Sequence, residues 1–175
     1  TTTEPALFPT TFPNILVSPN LGIAVGMTSN ICSFNLAEIC DGTIAMLRDP
    51  HITTEHMMEI VKAPDFSGGA FLIYDREAIR SIYETGVGSV RLRARYVYNK
   101  DDNSIDILEI PYSSCIESII KKITDMVKDG KIKGVTDVRD GIDLSGFRLT
   151  LDLKKDTDPD KLMKRLFATT DLEKS

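Results

Sequence analysis

The stretch Val90-Arg91-Leu92-Arg93-Ala94-Arg95-Tyr96-Val97-Tyr98 sets the reading of this chain. Val90, Leu92, Ala94, Tyr96 and Tyr98 occupy every second position, with Arg91, Arg93, Arg95 and Val97 between them. A period of two is the mark of a strand with one buried face. Residues 99–103 read as a turn and 105–110 as the returning strand, so a β-hairpin is expected. Ser114 and Glu117 then form a capping box for a helix over 115–128, with Ile116, Ile119, Ile120, Ile123 and Val127 inward and Gly130 as its end. A strand is expected over 133–139. Phe147, Leu149, Leu151 and Leu153 mark the clearest one. Asp158 and Pro159 open a last helix as cap and first residue, with Leu162, Met163, Leu166 and Phe167 inward. The order β-β-α-β-β-α predicts an α+β fold. Its simplest packing is a two-layer α/β sandwich, a mixed, largely antiparallel sheet with helices on one face.

Upstream the pattern differs. Residues 1–20 hold Pro5, Pro9, Pro13 and Pro19, which predicts an extended arm or edge. The chain starts Thr1-Thr2-Thr3, and is expected to be a piece of a longer one. Gly22-Ile23-Ala24-Val25-Gly26-Met27 is small and apolar. Asn35 is a good N-cap, and Glu38 three residues on completes a capping box. The helix that follows carries Leu36, Ile39, Cys40, Thr43, Ile44 and Leu47 at helical spacing, to Asp49-Pro50. A short helix over 54–61, a loop over 64–69, a short strand over 70–74, and a helix from Asp75 to Gly86 complete the pass. The segmentation expected is 1–34 for the arm and its loop, 35–75 for a helical connection, and 76–175 for the sandwich.

The chain has 175 residues, 42% of them apolar and 27% charged, which excludes low-complexity disorder as the main state. Lys and Arg number 21 against 26 Asp and Glu, a net charge of −5. A histone-like binder held by bulk charge is thereby excluded; a local basic patch is not. No apolar run approaches the ~20 residues of a membrane-spanning helix, and no membrane partner is expected. Three cysteines without a Cys-x-x-Cys pair argue against a disulfide scaffold or zinc knuckle, and for a reducing cytoplasm.

The candidates for chemistry are few. His51 and His56 are five apart, off the spacing that puts two metal ligands on one helix face. Asp137, Asp140 and Asp143 read as a turn-forming loop sooner than a metal cluster, and only the second reading would make a small α/β enzyme. Gly86-Val87-Gly88 follows a helix and leads into a strand, the reverse of a phosphate-cradling loop. No metal, cofactor or catalytic residue is assigned. The Arg91, Arg93, Arg95 ladder projects from one strand face. It suits phosphate contact, or equally a solvated face paired with the acids of the hairpin return. Lys121 and Lys122 lead a second basic set that runs through Lys128, Lys131 and Lys133, most simply a solvated helix face. For the segment 22–27 the commoner reading is a buried turn or strand. The alternative is an apolar wedge at a loop tip, able to enter between base pairs.

Several motifs, in order, resemble the A-subunit family of bacterial type IIA topoisomerases, DNA gyrase and topoisomerase IV. They are Phe12-Pro13-Asn14-Ile15-Leu16-Val17, Gly22-Ile23-Ala24-Val25-Gly26-Met27, Asn30-Ile31 and Phe34-Asn35-Leu36. Further on stand Pro64-Asp65-Phe66, Tyr83-Glu84-Thr85-Gly86, Gly88-Ser89-Val90-Arg91, and Val135-Thr136-Asp137-Val138-Arg139-Asp140. The resemblance covers nearly the whole chain and implies the family's tower, with the stretch leading into it. It implies an ATP-dependent type II DNA topoisomerase, whose A chains dimerise and join ATPase B chains (A2B2) to pass one duplex through another. ATP and Mg would belong to the B chains. Ile23 would be the residue inserted between base pairs to bend the gate duplex, supported by Gly22 and Gly26. Arg91, Arg93, Arg95, Lys121 and Lys122 would be candidate phosphate contacts. The family's catalytic tyrosine follows an arginine and precedes a threonine. Arg95-Tyr96 is followed by Val97, so no catalytic residue is expected here, and the piece alone should be inactive and monomeric. The alternative implied role is a structural spacer between the DNA gate and the exit gate. Departures include Cys32-Ser33-Phe34-Asn35 where Pro-Pro-His-Asn is common, and Val87 where an arginine is usual.

Overall fold

A computed structural model describes residues 2–7, 9–143 and 146–175. The chain forms two compact units, Thr1–Ser67 with Arg76–Gly88, and Gly68–Asp75 with Ser89–Ser175. The chain therefore passes into the second unit at residue 68, returns for residues 76–88, and leaves again.

The first unit holds α1 (Asn14–Val17), β1 (Asn20–Ala24), β2 (Met27–Ile31), α2 (Leu36–Arg48), α3 (Thr54–Ile60) and α4 (Arg76–Thr85). The proline-rich arm is thus interrupted by one helical turn, α1. The Asn35 side chain accepts the N–H groups of Ala37 and Glu38, the expected cap. Glu38 does not close the capping box; its carboxylate accepts the Lys62 N–H instead, at 3.3 Å. The predicted stripe of α2 is half correct. Ile39 is buried, while Leu36, Ile44 and Leu47 are exposed. Gly42 is where α2 meets α3: a Cβ there would stand 3.0 Å from Val61 and 3.1 Å from the Met57 sulfur. The Tyr83 hydroxyl of α4 donates to the Val61 carbonyl at 2.9 Å, and its ring meets Phe34 edge-on at 6.0 Å.

The second unit holds β3 (Phe71–Ile73), β4 (Arg91–Arg93), β5 (Arg95–Asn99), β6 (Ser104–Glu109), α5 (Ile116–Lys128), β7 (Val135–Asp143), β8 (Gly146–Leu153), α6 (Pro159–Thr169) and β9 (Glu173–Lys174). The strand expected over 90–98 is divided. Its first half is the centre of the sheet β3-β4-β9, and its second half is the edge of the sheet β5-β6-β8-β7. The break lies at Ala94, whose N–H donates to Leu172 O at 2.7 Å, followed by a bulge between Arg95 and Tyr96. All pairings are antiparallel. Ile105 faces Leu151 and Ile107 faces Leu149, and all four are fully buried. Ile119 and Ile123 of α5 and Met163 and Leu166 of α6 close over them, so both helices cover one face.

Two local expectations are corrected. The N-cap of α5 is Cys115, without a side-chain cap bond. Ser114 instead donates to Asp171 O at 3.3 Å, and Glu117 accepts the Cys115 S–H at 3.0 Å, which lowers the Glu117 carboxyl pKa. The acids at 137 and 140 lie on β7, not in a turn, because β7 runs on past residue 139 against β8. The side chain of Asp143 lies outside the described residues. Asp158 caps α6 as expected, accepting the N–H groups of Asp160 and Lys161.

Candidate nucleic-acid interface

From Pro5 to Ala37 the sequence contains no Asp, Glu, Lys, Arg or His. Within that stretch β1 and β2 form a two-stranded hairpin, closed at the pair Ala24–Met27 by the turn residues Val25 and Gly26. Gly26 has φ +79° while Val25 is not in the positive-φ region. That combination belongs to a turn whose second central position favours glycine. A Cβ at Gly26 would meet nothing within 4 Å, so the demand there is conformational and not steric. At Gly22 the demand is steric. A Cβ would come 2.9 Å from the Ser29 hydroxyl, which donates to Asn20 Oδ1.

Cross-strand partners share a face. Ile23 and Thr28, with Leu21 and Asn30, make one; Gly22 and Ser29 lie on the other. Ile23 is 81% exposed, and Leu21, Val25 and Met27 are exposed as well. The expected burial of segment 22–27 is therefore corrected: it is strand and turn, but it stands in solvent, because its sheet has only two strands. The outward position of Val25 and Met27 was not anticipated. The turn glycine could have signalled it, since a glycine-closed hairpin without a third strand leaves its tip bare.

The arginine ladder is paired. Arg91 and Arg93 both reach Glu173 of β9, at 3.3 and 2.7 Å. Arg93 also lies over the Phe167 ring at 4.8 Å. Arg95 reaches Glu109 across the hairpin at 3.3 Å, and Glu109 further accepts the Ala70 N–H. The Glu173 partner was missed, since it lies some 80 residues downstream. The remaining hairpin acid on the sheet, Asp106, takes Thr150 and Asn99 as donors. Lys121 and Lys122 are exposed on α5 and make no ion pair among the described residues. Tyr96, next to the ladder, has its hydroxyl pKa raised by burial and by donation to Asp160 at 3.1 Å. Among the described residues no group of three His, Cys, Asp or Glu side chains could hold a metal, and no helix is long and apolar enough to cross a membrane.

An antiparallel α+β sandwich with ion-paired arginines, and a helical unit carrying an uncharged, solvent-exposed β-hairpin, define a chain of the α+β class with an exposed apolar hairpin tip. The family model for the A subunit of DNA gyrase/topoisomerase IV matches residues 1–175, and the chain belongs to that family. It is similar to the DNA gyrase A subunit of Borrelia hermsii, 41% identical over 98% of this chain and 22% of that protein. It is 39% identical to that of Halalkalibacterium halodurans, over 98% of this chain and 21% of that one. With that of Mycoplasma genitalium it shares 37% identity, over 97% and 20%. The chain thus spans about a fifth of the length of these relatives.

Proposed function

We propose that this chain is the DNA-binding and DNA-bending segment of the A chain of an ATP-dependent type II topoisomerase, acting in the cytoplasm as part of an A2B2 assembly. It helps to hold and bend the gate duplex, while ATP and Mg belong to the B chains. The observation that carries this reading is the hairpin tip, apolar and exposed at Ile23 within a stretch free of charge. Apolar side chains exposed side by side, as Leu21, Ile23, Val25 and Met27 are, mark a contact surface. Here the lack of acids spares the tip repulsion from phosphates, and the lack of cations leaves it without ion pairs to phosphates. That suits insertion into a base step. A stiff β-branched side chain holds the opened step, and unstacking is offset by the wider contact that a bend allows. Gly22 lets the two strands approach closely, and Gly26 lets the chain turn at the tip. Lys121 and Lys122, unpaired and exposed, supply phosphate contacts.

The test is bending of a duplex of ~30 base pairs, read by energy transfer between its ends. Ile23→Ala is expected to reduce the bend while changing affinity little, because phosphate contacts dominate affinity. An unaltered bend would remove the wedge. The second reading, a spacer between DNA gate and exit gate with little DNA contact, is favoured by the ion pairs that occupy Arg91, Arg93 and Arg95.

A further inference from the structure

Six cations converge where the loop after α5 meets the loop after β8. Lys131 and Lys133 come from the first loop, Lys154 and Lys155 from the second, and Lys161 and Arg165 from α6. They line a cleft of about 770 Å³, with Asp156 and Asp158 as its acids. Asp158 is occupied in capping α6, and Lys131 is paired with Asp129 at 3.0 Å. The other five cations are exposed and make no ion pair among the described residues. On a chain of net charge −5 this is a concentrated exception.

The floor of the cleft is fixed. The Lys154 N–H donates to Gly134 O at 2.7 Å, and the Thr157 hydroxyl reaches the same carbonyl. Gly134 has φ +121°, and a Cβ there would press on Thr157 at 2.7 Å, so only glycine lets the two loops close. The Asn103 amide donates to both Leu153 O and Lys154 O. Ile132 and Leu162 turn into the core, so the cleft offers no apolar socket for a peptide side chain. No aromatic ring or side-chain amide lines it that could read a base edge. Rigid backbone, long lysine stems and no reading groups suit a regular array of phosphodiesters, bound without regard to sequence.

We infer that this cleft, built by Lys133, Lys154, Lys155, Lys161 and Arg165, is a duplex-DNA backbone site separate from the hairpin. The inference rests on the DNA-binding reading above but not on the wedge. The test is a salt series of duplex binding by the whole chain, wild type beside Lys133→Gln/Lys155→Gln/Lys161→Gln, with thermal unfolding of both. Each lost phosphate contact lowers the log–log salt slope by about 0.9, so the triple variant should lose about 2–3 of slope. Between 50 and 200 mM salt the wild type should then lose about 40-fold more affinity than the variant. The matching Lys→Arg variant should keep the slope. An unchanged slope in the folded triple variant overturns the site, as does a wild type that binds no duplex at low salt. So does inorganic tripolyphosphate that binds the cleft as tightly as the duplex, since the site is then for free phosphates. Ile23→Ala, read by bending, fails or succeeds separately: a lost slope beside an unaltered bend keeps the cleft and removes the wedge.

Discussion

Ile23 stands one position before the end of its strand, opposite Thr28, with its side chain in water. Val25 and Met27 are exposed beside it, so geometry offers three apolar contacts at the tip. The two differ from Ile23 in support: Val25 sits in the turn itself, and Met27 is flexible. Val25→Ala is therefore expected to alter bending less than Ile23→Ala when both are measured on the same duplex. A larger effect at Val25 would move the wedge to the turn. Gly26 governs whether the tip exists at all. Gly26→Ala places a Cβ at φ +79°, a strain of about 1–2 kcal/mol. Because the hairpin pairs only with itself, that cost should show as faster amide exchange at Met27 and Ser29, with the global unfolding midpoint unmoved. A fall in the midpoint would mean that the hairpin is part of the core. Asn35 is the contrasting case. It caps a helix packed on α3, so Asn35→Ala should lower global stability by about 1 kcal/mol in urea unfolding.

Among the elements, the sandwich was the more legible part. Leu149, Leu151 and Leu153 give β8, Ile119 and Ile123 give the buried side of α5, and Asp158-Pro159 gives the start of α6, because each signal is local. What failed was non-local. Nothing between Val90 and Tyr98 shows that Ala94 will bond to Leu172 and hand the chain from one sheet to another. Nothing near the ladder shows that Glu173 will lie under Arg91 and Arg93. The glycine-bracketed sequence marks an apolar segment at 22–27, but its exposure depends on which strands pair beyond it. The contact of β5 with α6 also has a pH signature. Burial and the bond to Asp160 raise the Tyr96 pKa above its usual 10.0. A raised value means that the folded state holds the proton more tightly. The contribution is complete below pH 10 and is lost as pH rises through the raised value. Tyr96→Phe should flatten that alkaline loss in a series of unfolding midpoints. A variant with the same alkaline slope as wild type would show that other groups cause it.

At the scale of the whole molecule, charge is sorted by region. Residues 5–37 have none, the ladder's cations are matched by Glu173 and Glu109, and five of the cleft's six are left without an ion pair among the described residues. Only the last arrangement can release counterions from DNA, because a cation already paired in the protein has to give up its partner first. The sequence could show Lys154-Lys155 and the i, i+4 pair Lys161 and Arg165, but not that two loops bring them beside Lys133. The ladder and the cleft should therefore part company when mutated. Arg91→Ala/Arg93→Ala removes two ion pairs to a side chain that is 13% exposed and the stacking of Arg93 on Phe167. It also leaves Glu173 without a cation at the junction of β4 and β9. A loss of about 1–2 kcal/mol in urea unfolding is expected, with the salt slope of duplex binding unchanged. The cleft variant should do the reverse, holding its stability and losing slope. If the ladder variant instead unfolds like wild type and its slope falls by about 2, then Arg91 and Arg93 leave Glu173 for phosphates on binding, and the ladder is the DNA contact.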